Sequence, residues 1–323
     1  MSKVLVTGAA GFIASRVSQL LLDKGVQVVG IDNMNDYYDT RVKVHRLAGL
    51  KGRGGFKFVK GDIEDRTGVD RLFRKHRFSA VVNLAARAGV RYSMENPYVY
   101  MTTNGHGTLN LLEAARRSGV KKFILASTSS LYAGQKMPFK ESLPVNTPIS
   151  PYAASKKAAE AMCYTYHHLY RMDVTILRYF TVYGPAGRPD MSIFRFIKWI
   201  DEGQPLQLLG DGNQKRDFTH VSDIAEGTVR ALKLKGYQIV NLGGNRPEKL
   251  MYAIRLIEKE LGKKAQFNFL PKHVADMDAT WADVTQARKL LGWKSKTALE
   301  AGLRDSVRWY LENRSWLSKV HVQ

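Results

Sequence analysis

The sequence predicts an α/β fold: a doubly wound parallel Rossmann-type sheet with a smaller, discontinuous α/β lobe. Three observations predict it. An apolar stretch, Lys3–Thr7, runs directly into the glycine-bearing turn Thr7-Gly-Ala-Ala-Gly-Phe-Ile-Ala14. Strand-like and helix-like stretches then alternate to about residue 180, as a parallel sheet with helical crossovers requires. The length of 323 residues, with 44% hydrophobic content, allows one large core or two smaller ones.

Taken in order, Lys3–Thr7 reads as a buried strand, and the stretch from Gly11 as a helix with Phe12, Ile13, Val17, Leu20 and Leu21 on its apolar side. Gly8 permits the tight bend. Gly11 lets a pyrophosphate approach the N–H groups of the helix N-terminus, and Ala14 keeps helix and strand close. Residues 26–31 form a second strand ending at Asp32, where a carboxylate would hold an adenosine ribose. That carboxylate repels a 2′-phosphate and so favours NAD over NADP, while Arg41 and Lys43 pull the other way. Further strands are expected at 56–59, 79–84, 122–126 and 174–178. After Gly184 the pattern loosens into the loop 185–190, a helix near 191–202, a short strand near 206–209 and a polar loop at 210–217. A helix at 222–234 and a strand at 238–242 return to the sheet, and helices near 247–261, 284–291 and 297–312 finish the chain.

Chemistry is suggested by Ser150-Pro-Tyr-Ala-Ala-Ser-Lys156. With Pro151 in a helix's first turn, where its missing N–H is harmless, Tyr152 and Lys156 share one face. The lysine cation would favour phenolate, turning a group that ionises near pH 10 into a base for hydride chemistry near neutrality.

Composition narrows the alternatives. Nothing resembles a transmembrane or secretory segment, so a soluble cytoplasmic protein is expected. Cys163 is the only cysteine, which rules out an internal disulfide. His167 and His168 diverge by about 100° on a helix and do not suggest a metal; none is expected. Fifty Lys+Arg against 29 Asp+Glu give +21, but the basic residues are dispersed doublets without interleaved aromatics. That pattern fits a surface drawing in an anionic substrate better than a nucleic-acid or membrane partner.

The ordered motifs Thr7-Gly-x-x-Gly-x-x-Ala14, Asp62-Ile63, Asn83-Leu-Ala-Ala86, Asn104, Thr128 with Tyr132, Tyr152-x-x-x-Lys156, Arg178-Tyr-Phe180 and Arg216-Asp-Phe-Thr-His-Val221 resemble the extended short-chain dehydrogenase/reductase family along nearly the whole chain. Within it they are similar to the nucleotide-sugar 4-epimerases. The resemblance implies bound NAD, with contacts from Gly8, Gly11, Phe12, Ile13, Asp32, Asn33, Asp62, Ile63, Leu84, Ala85, Ala86, Asn104, Tyr152, Lys156 and Tyr179. It also implies catalysis by Thr128, Tyr152 and Lys156, and a homodimer formed through the helices holding 104–117 and 152–170. The expected division is an NAD-binding domain at 1–180 plus 218–245, and a nucleotide-sugar-binding domain at 181–217 plus 246–323.

Residues 86–97 and 182–191, with 32–39, resemble segments of UDP-glucuronate 4-epimerases. A uronic acid brings a C6 carboxylate, whose burial needs donors or a cation; Arg188, Ser129 and Ser130 are the partners this implies. Arg91, Thr181, Gln207, Arg216 and Asp276 complete the expected substrate contacts, Arg216 and Asp276 holding the UDP side. Related decarboxylases and dehydratases usually carry carboxylates where this chain has Ser129 and Ser130, which argues against those reactions. UDP-glucose 4-epimerisation is the main alternative, with UDP-glucuronate decarboxylation and a non-catalytic NAD-sensing regulator behind it.

Overall fold

Continuous apolar runs on short strands, buried on both faces, set the centre of the molecule. The computed structural model describes residues 2–271 and 277–322. Its strands are β1 (Lys3–Thr7), β2 (Gln27–Asp32), β3 (Phe56–Lys60), β4 (Ala80–Asn83), β5 (Lys122–Thr128), β6 (Asp173–Tyr179), β7 (Thr181–Tyr183), β8 (Leu206–Leu209), β9 (Lys215–His220), β10 (Tyr237–Leu242), β11 (Pro247–Lys249) and β12 (Phe267–Leu270). Seven form one parallel sheet in the order β10-β6-β5-β4-β1-β2-β3. Val4 faces Val28 across one edge of β1 and Ala80 across the other.

Because side chains alternate along a strand, the sheet feeds two cores. Val4, Val6, Val82 and Ile124 pack with Ala14, Val17 and Leu21 of the helix Phe12–Asp23. Leu5, Val81, Phe123 and Ile176 pack on the other face with Leu111, Leu112, Ala159 and Cys163. A third core joins Ile193, Phe196 and Ile197, Ile254 and Ile257, and Leu303 and Val307, from the helices Ser192–Glu202, Leu250–Leu261 and Leu299–Glu312. The chain leaves β1 for β2 on one side while β4 lies on the other, so the crevice at the strands' carboxyl ends opens at this switch point.

The structure revises several expectations. The polar loop expected at 210–217 ends at Gln214, and Lys215–Asp217 already belong to β9, which pairs with β7 and β11 in a small sheet. Its Asp217 is fully buried, held by the N–H groups of Asn245 and Ala282, so polarity there did not mean loop. The helix expected from 247 begins at Leu250, after β11, and β12 pairs with β8. The helix Thr40–Lys51 buries Lys43 and Arg46 beside Val42 and Leu47, which erases its amphipathic pattern.

Candidate functional site

The cleft begins with the β1 turn. Gly8 has φ +68°, and a Cβ on it would stand 2.9 Å from Ala85 Cα. Only glycine fits both the backbone and the space. Thr7 Oγ1 donates to Asn83 Oδ1 (2.6 Å) and accepts from the N–H groups of Leu84 (3.1 Å) and Ala85 (3.0 Å), clamping the ends of β1 and β4 together. Gly11 caps the helix Phe12–Asp23 with no side chain of its own, leaving that N-terminus open to an anion. Asp32 ends β2; its Oδ2 accepts from Ala10 N (3.0 Å) and its Oδ1 from Met34 N (2.8 Å), and each oxygen keeps a lone pair. Asn33 Nδ2 donates to Asp62 Oδ2 at 2.7 Å.

Gly8, Gly11, Phe12, Ile13, Asp32, Asn33, Asp62, Ile63, Leu84, Ala85, Ala86, Tyr152, Lys156, Tyr179 and Arg188 all line this one cleft. Asn104 does not. It sits where the helical path widens to π-type turns at Met101–His106, with its amide bonded to Arg87 N and O and to Ser155 Oγ behind the wall. It is therefore a buried support for the Arg87 backbone rather than a lining group. Asn35, Tyr37, Tyr38, Arg87 and Thr103 line the cleft as well, unforeseen from sequence although Asn35-Asp-Tyr-Tyr38 is a run of polar and aromatic residues just after Asp32. Lys43 also lines the cleft; burial lowers its pKa to about 8, against the opposing pull of Asp32. Arg41 is turned to Asp39 and the Lys319 carbonyl instead.

At the Tyr152 end of the cleft, Ser150 caps the helix Pro151–Tyr170 by accepting from Ala153 N (3.2 Å), with Pro151 in the first turn as expected. Tyr152 packs edge-on to buried Tyr100, ring centroids 6.0 Å apart. Thr128 ends β5, accepts from Ser130 N at 3.1 Å and donates to Ser130 Oγ at 3.1 Å. Burial pushes the Tyr152 phenol up, opposed by the Thr128 hydrogen bond and then by the Arg188 charge. This corrects the expectation that Lys156 would lower it. Lys156 Nζ instead donates to the Ala126 carbonyl at 2.9 Å, and burial brings its own pKa down to about 8, against the raising effect of Glu160.

Arg188 is likewise less free than expected. Nε donates to Asp190 Oδ1 (3.0 Å) and Nη2 to Asp190 Oδ2 (2.5 Å) and the Ala88 carbonyl (3.2 Å), while the guanidinium lies 5.7 Å from the Tyr37 and Tyr38 ring centroids. The pairing with Asp190 occupies Nε and Nη2. Among the described residues no hydrogen bond uses its Nη1. Thr128, Ser129, Ser130, Arg91, Thr181, Gln207 and Arg216 are not part of the cleft lining. Ser129 is buried, and Ser130 Oγ accepts from Thr128 (3.1 Å). Thr181 begins β7, and Arg91 precedes the short helix Tyr92–Glu95. Gln207 on β8 accepts from Asn268 Nδ2 at 3.0 Å, and Arg216 on β9 lies opposite Glu248. Asp276 falls outside the described residues.

The sequence pattern of the NAD dependent epimerase/dehydratase family matches residues 4–243. The chain is 53% identical over 323 residues to a UDP-glucuronate 4-epimerase of Thermodesulfobacterium geofontis, covering 100% of both chains. Its fold is similar to that of UDP-glucuronic acid 4-epimerase from Bacillus cereus solved with UDP-glucuronic acid and NAD, with TM-score 0.90, 38% identity, and coverage of 96% and 99% of the two chains. It is also similar to a UDP-glucose 4-epimerase from Thermotoga maritima solved with UDP-glucose, with TM-score 0.89, 31% identity, and coverage of 97% and 99%.

Proposed function

Since this chain belongs to the NAD dependent epimerase/dehydratase family, we propose that it interconverts UDP-glucuronate and UDP-galacturonate by epimerisation at C4, with NAD retained through the cycle. The observation that carries this reading is one cleft lined by the β1 turn, Asp32, the Tyr152–Lys156 pair and Arg188. The residues fit a dinucleotide: the close approach at Gly8, the uncapped helix N-terminus and the two free lone pairs of Asp32 match a pyrophosphate and a ribose diol.

Bound NAD supplies a hydride acceptor that later returns the hydride. Tyr152, with Thr128 near its phenol, is the base that takes the proton from the sugar 4-hydroxyl and later gives it back. Lys156, anchored on Ala126, supplies a nearby cation for the ribose side of the site. The sugar 4-ketone turns about its link to the diphosphate and is reduced on its other face, while Arg216, with Gln207, anchors the UDP end. Arg188 offers its Nη1 hydrogens, and Ser129 and Ser130 their hydroxyls, to the C6 carboxylate. Held near the ring plane, that carboxylate is misaligned for loss of carbon dioxide from the β-keto acid.

The domain division given above belongs to this reading, as does a homodimer through the helices holding 104–117 and 152–170. Exposed Tyr98, Met101, Tyr164 and Leu169 on and beside those helices support it. The cytoplasmic placement is part of the same proposal; no described helix is long and apolar enough to cross a membrane. The test is incubation of purified protein with UDP-glucuronate, read by NMR and mass spectrometry. A galacto-configured product of unchanged mass is expected. Loss of the carboxyl mass, or turnover of UDP-glucose alone, would overturn the assignment.

A further inference from the structure

Arg46 is 4% exposed, yet each of its hydrogen-bond acceptors is neutral. Nε donates to the Ala186 carbonyl (2.8 Å), Nη2 to the Gly187 carbonyl (2.9 Å), and Nη1 to Tyr38 Oη (2.7 Å) and the Ala10 carbonyl (3.3 Å). The guanidinium carbon lies 5.5 Å from the Tyr38 ring centroid and 5.8 Å from that of Phe12. A cation buried without a carboxylate is costly, so its place needs a reason.

Arg46 does not line the dinucleotide cleft, but it holds two of its walls. Ala10 lies in the turn between Gly8 and Gly11, and its N–H is bonded to Asp32. Ala186 and Gly187 immediately precede Arg188. Ala186 has φ +56°, a left-handed conformation disfavoured for a residue with a Cβ, and the bonds from Arg46 to the 186 and 187 carbonyls hold that loop in place. A rigid guanidinium fork can span these separate acceptors at once; a lysine ammonium cannot.

We propose that Arg46 is a positioning residue that couples the two halves of the site. Through it, order in the Arg188 loop, imposed by a bound UDP-sugar, is transmitted to the turn that holds the dinucleotide. Retention of the cofactor while the oxidised sugar turns then depends on this fork. Linkage makes the coupling reciprocal: the sugar tightens binding of NAD, and NAD tightens binding of the sugar by the same factor. The proposal rests on the functional reading above for the identity of both ligands.

The test measures the rate of NAD release from the holoenzyme, with and without saturating UDP-glucuronate, in the wild type, Arg46→Met and Arg46→Lys. Turnover of UDP-glucuronate is measured alongside. The wild type is expected to release NAD more slowly with the sugar by roughly 5- to 150-fold, the usual range of site coupling, carried here by the release step. In both variants that ratio is expected to collapse towards one, the lysine failing to rescue it. A variant whose NAD release accelerates equally with and without the sugar has lost only a structural brace, and that result overturns the coupling. Should Arg46→Met not fold, Arg46→Lys decides alone, since it keeps the charge and removes the fork. Intact wild-type turnover with NAD release indifferent to the sugar overturns this inference only, whereas absent turnover overturns the functional reading beneath it.

Discussion

Glu160→Gln probes the support behind Tyr152 and Lys156. Glu160 and Arg178 are each 2% exposed at their side chains and pair in bidentate fashion, Nε to Oε1 at 3.0 Å and Nη2 to Oε2 at 2.8 Å. Ser127 Oγ donates to the same Oε1 (2.6 Å), and Arg178 Nη1 donates to Tyr132 Oη (2.8 Å), which in turn donates to Asn241 Oδ1. Glutamine keeps the shape but removes the charge, and turns an N–H₂ towards a guanidinium that has only donors. Breaking one partner out of a buried pair costs about 3–5 kcal/mol. With unfolding entropy of about 2.1 cal/mol/K per residue over 323 residues, that loss lowers Tm by about 4–7 °C for two-state unfolding. Thermal unfolding followed by circular dichroism measures it. The double variant Glu160→Leu/Arg178→Met, which removes both charges, should recover most of the loss. Glu160 also raises the pKa of Lys156 one turn away, so the single variant should move the alkaline limb of kcat/KM to lower pH. A Tm drop of less than about 2 °C, or a double variant no better than the single, would refute the reasoning.

Three further outcomes are expected. Tyr152→Phe should lower kcat by about 10²–10⁴-fold while bound NAD, read by its absorbance after denaturation, stays at wild-type content; loss of NAD with activity would point to a binding role instead. Arg188→Ala should lower kcat/KM for UDP-glucuronate by about 10- to 100-fold, the worth of a charge-assisted hydrogen bond, with far less effect on any UDP-glucose turnover; equal losses on both sugars would remove its carboxylate role. The hydrogen bonds from Arg116 and then Tyr166 hold Glu113 down at about 2, from an ordinary 4.5. A depressed carboxylate stabilises the fold above pH 4.5 and loses that contribution as pH falls towards 2. The Tm gap between wild type and Glu113→Gln should therefore narrow over that window, and a gap independent of pH would contradict the assignment.

The dinucleotide half was legible from sequence because its signals are local. A continuously apolar strand, two glycines at a turn, a carboxylate ending the next strand and a tyrosine one helical turn before a lysine all declare themselves within a few residues. Hence Gly8, Asp32, Tyr152 and Lys156 meet in one cleft as expected. What tertiary structure alone decided depends on partners distant in the chain. β7, β9, β11 and β12 are three to six residues long and exist through pairing with one another or with β8, which no local pattern announces. Arg188 reads as an open cation until Asp190 and Ala88 fold against it, and Asn104 as a cofactor contact until its amide is found on Arg87 and Ser155. The Tyr152 phenol, expected to be lowered by its lysine, is instead raised by burial, because desolvation is set by everything that surrounds a group in space. Arg46 is the extreme case: a charged residue on an ordinary-looking helix becomes a buried fork only when loops 36 residues before it and 140 residues after it arrive to accept its hydrogens.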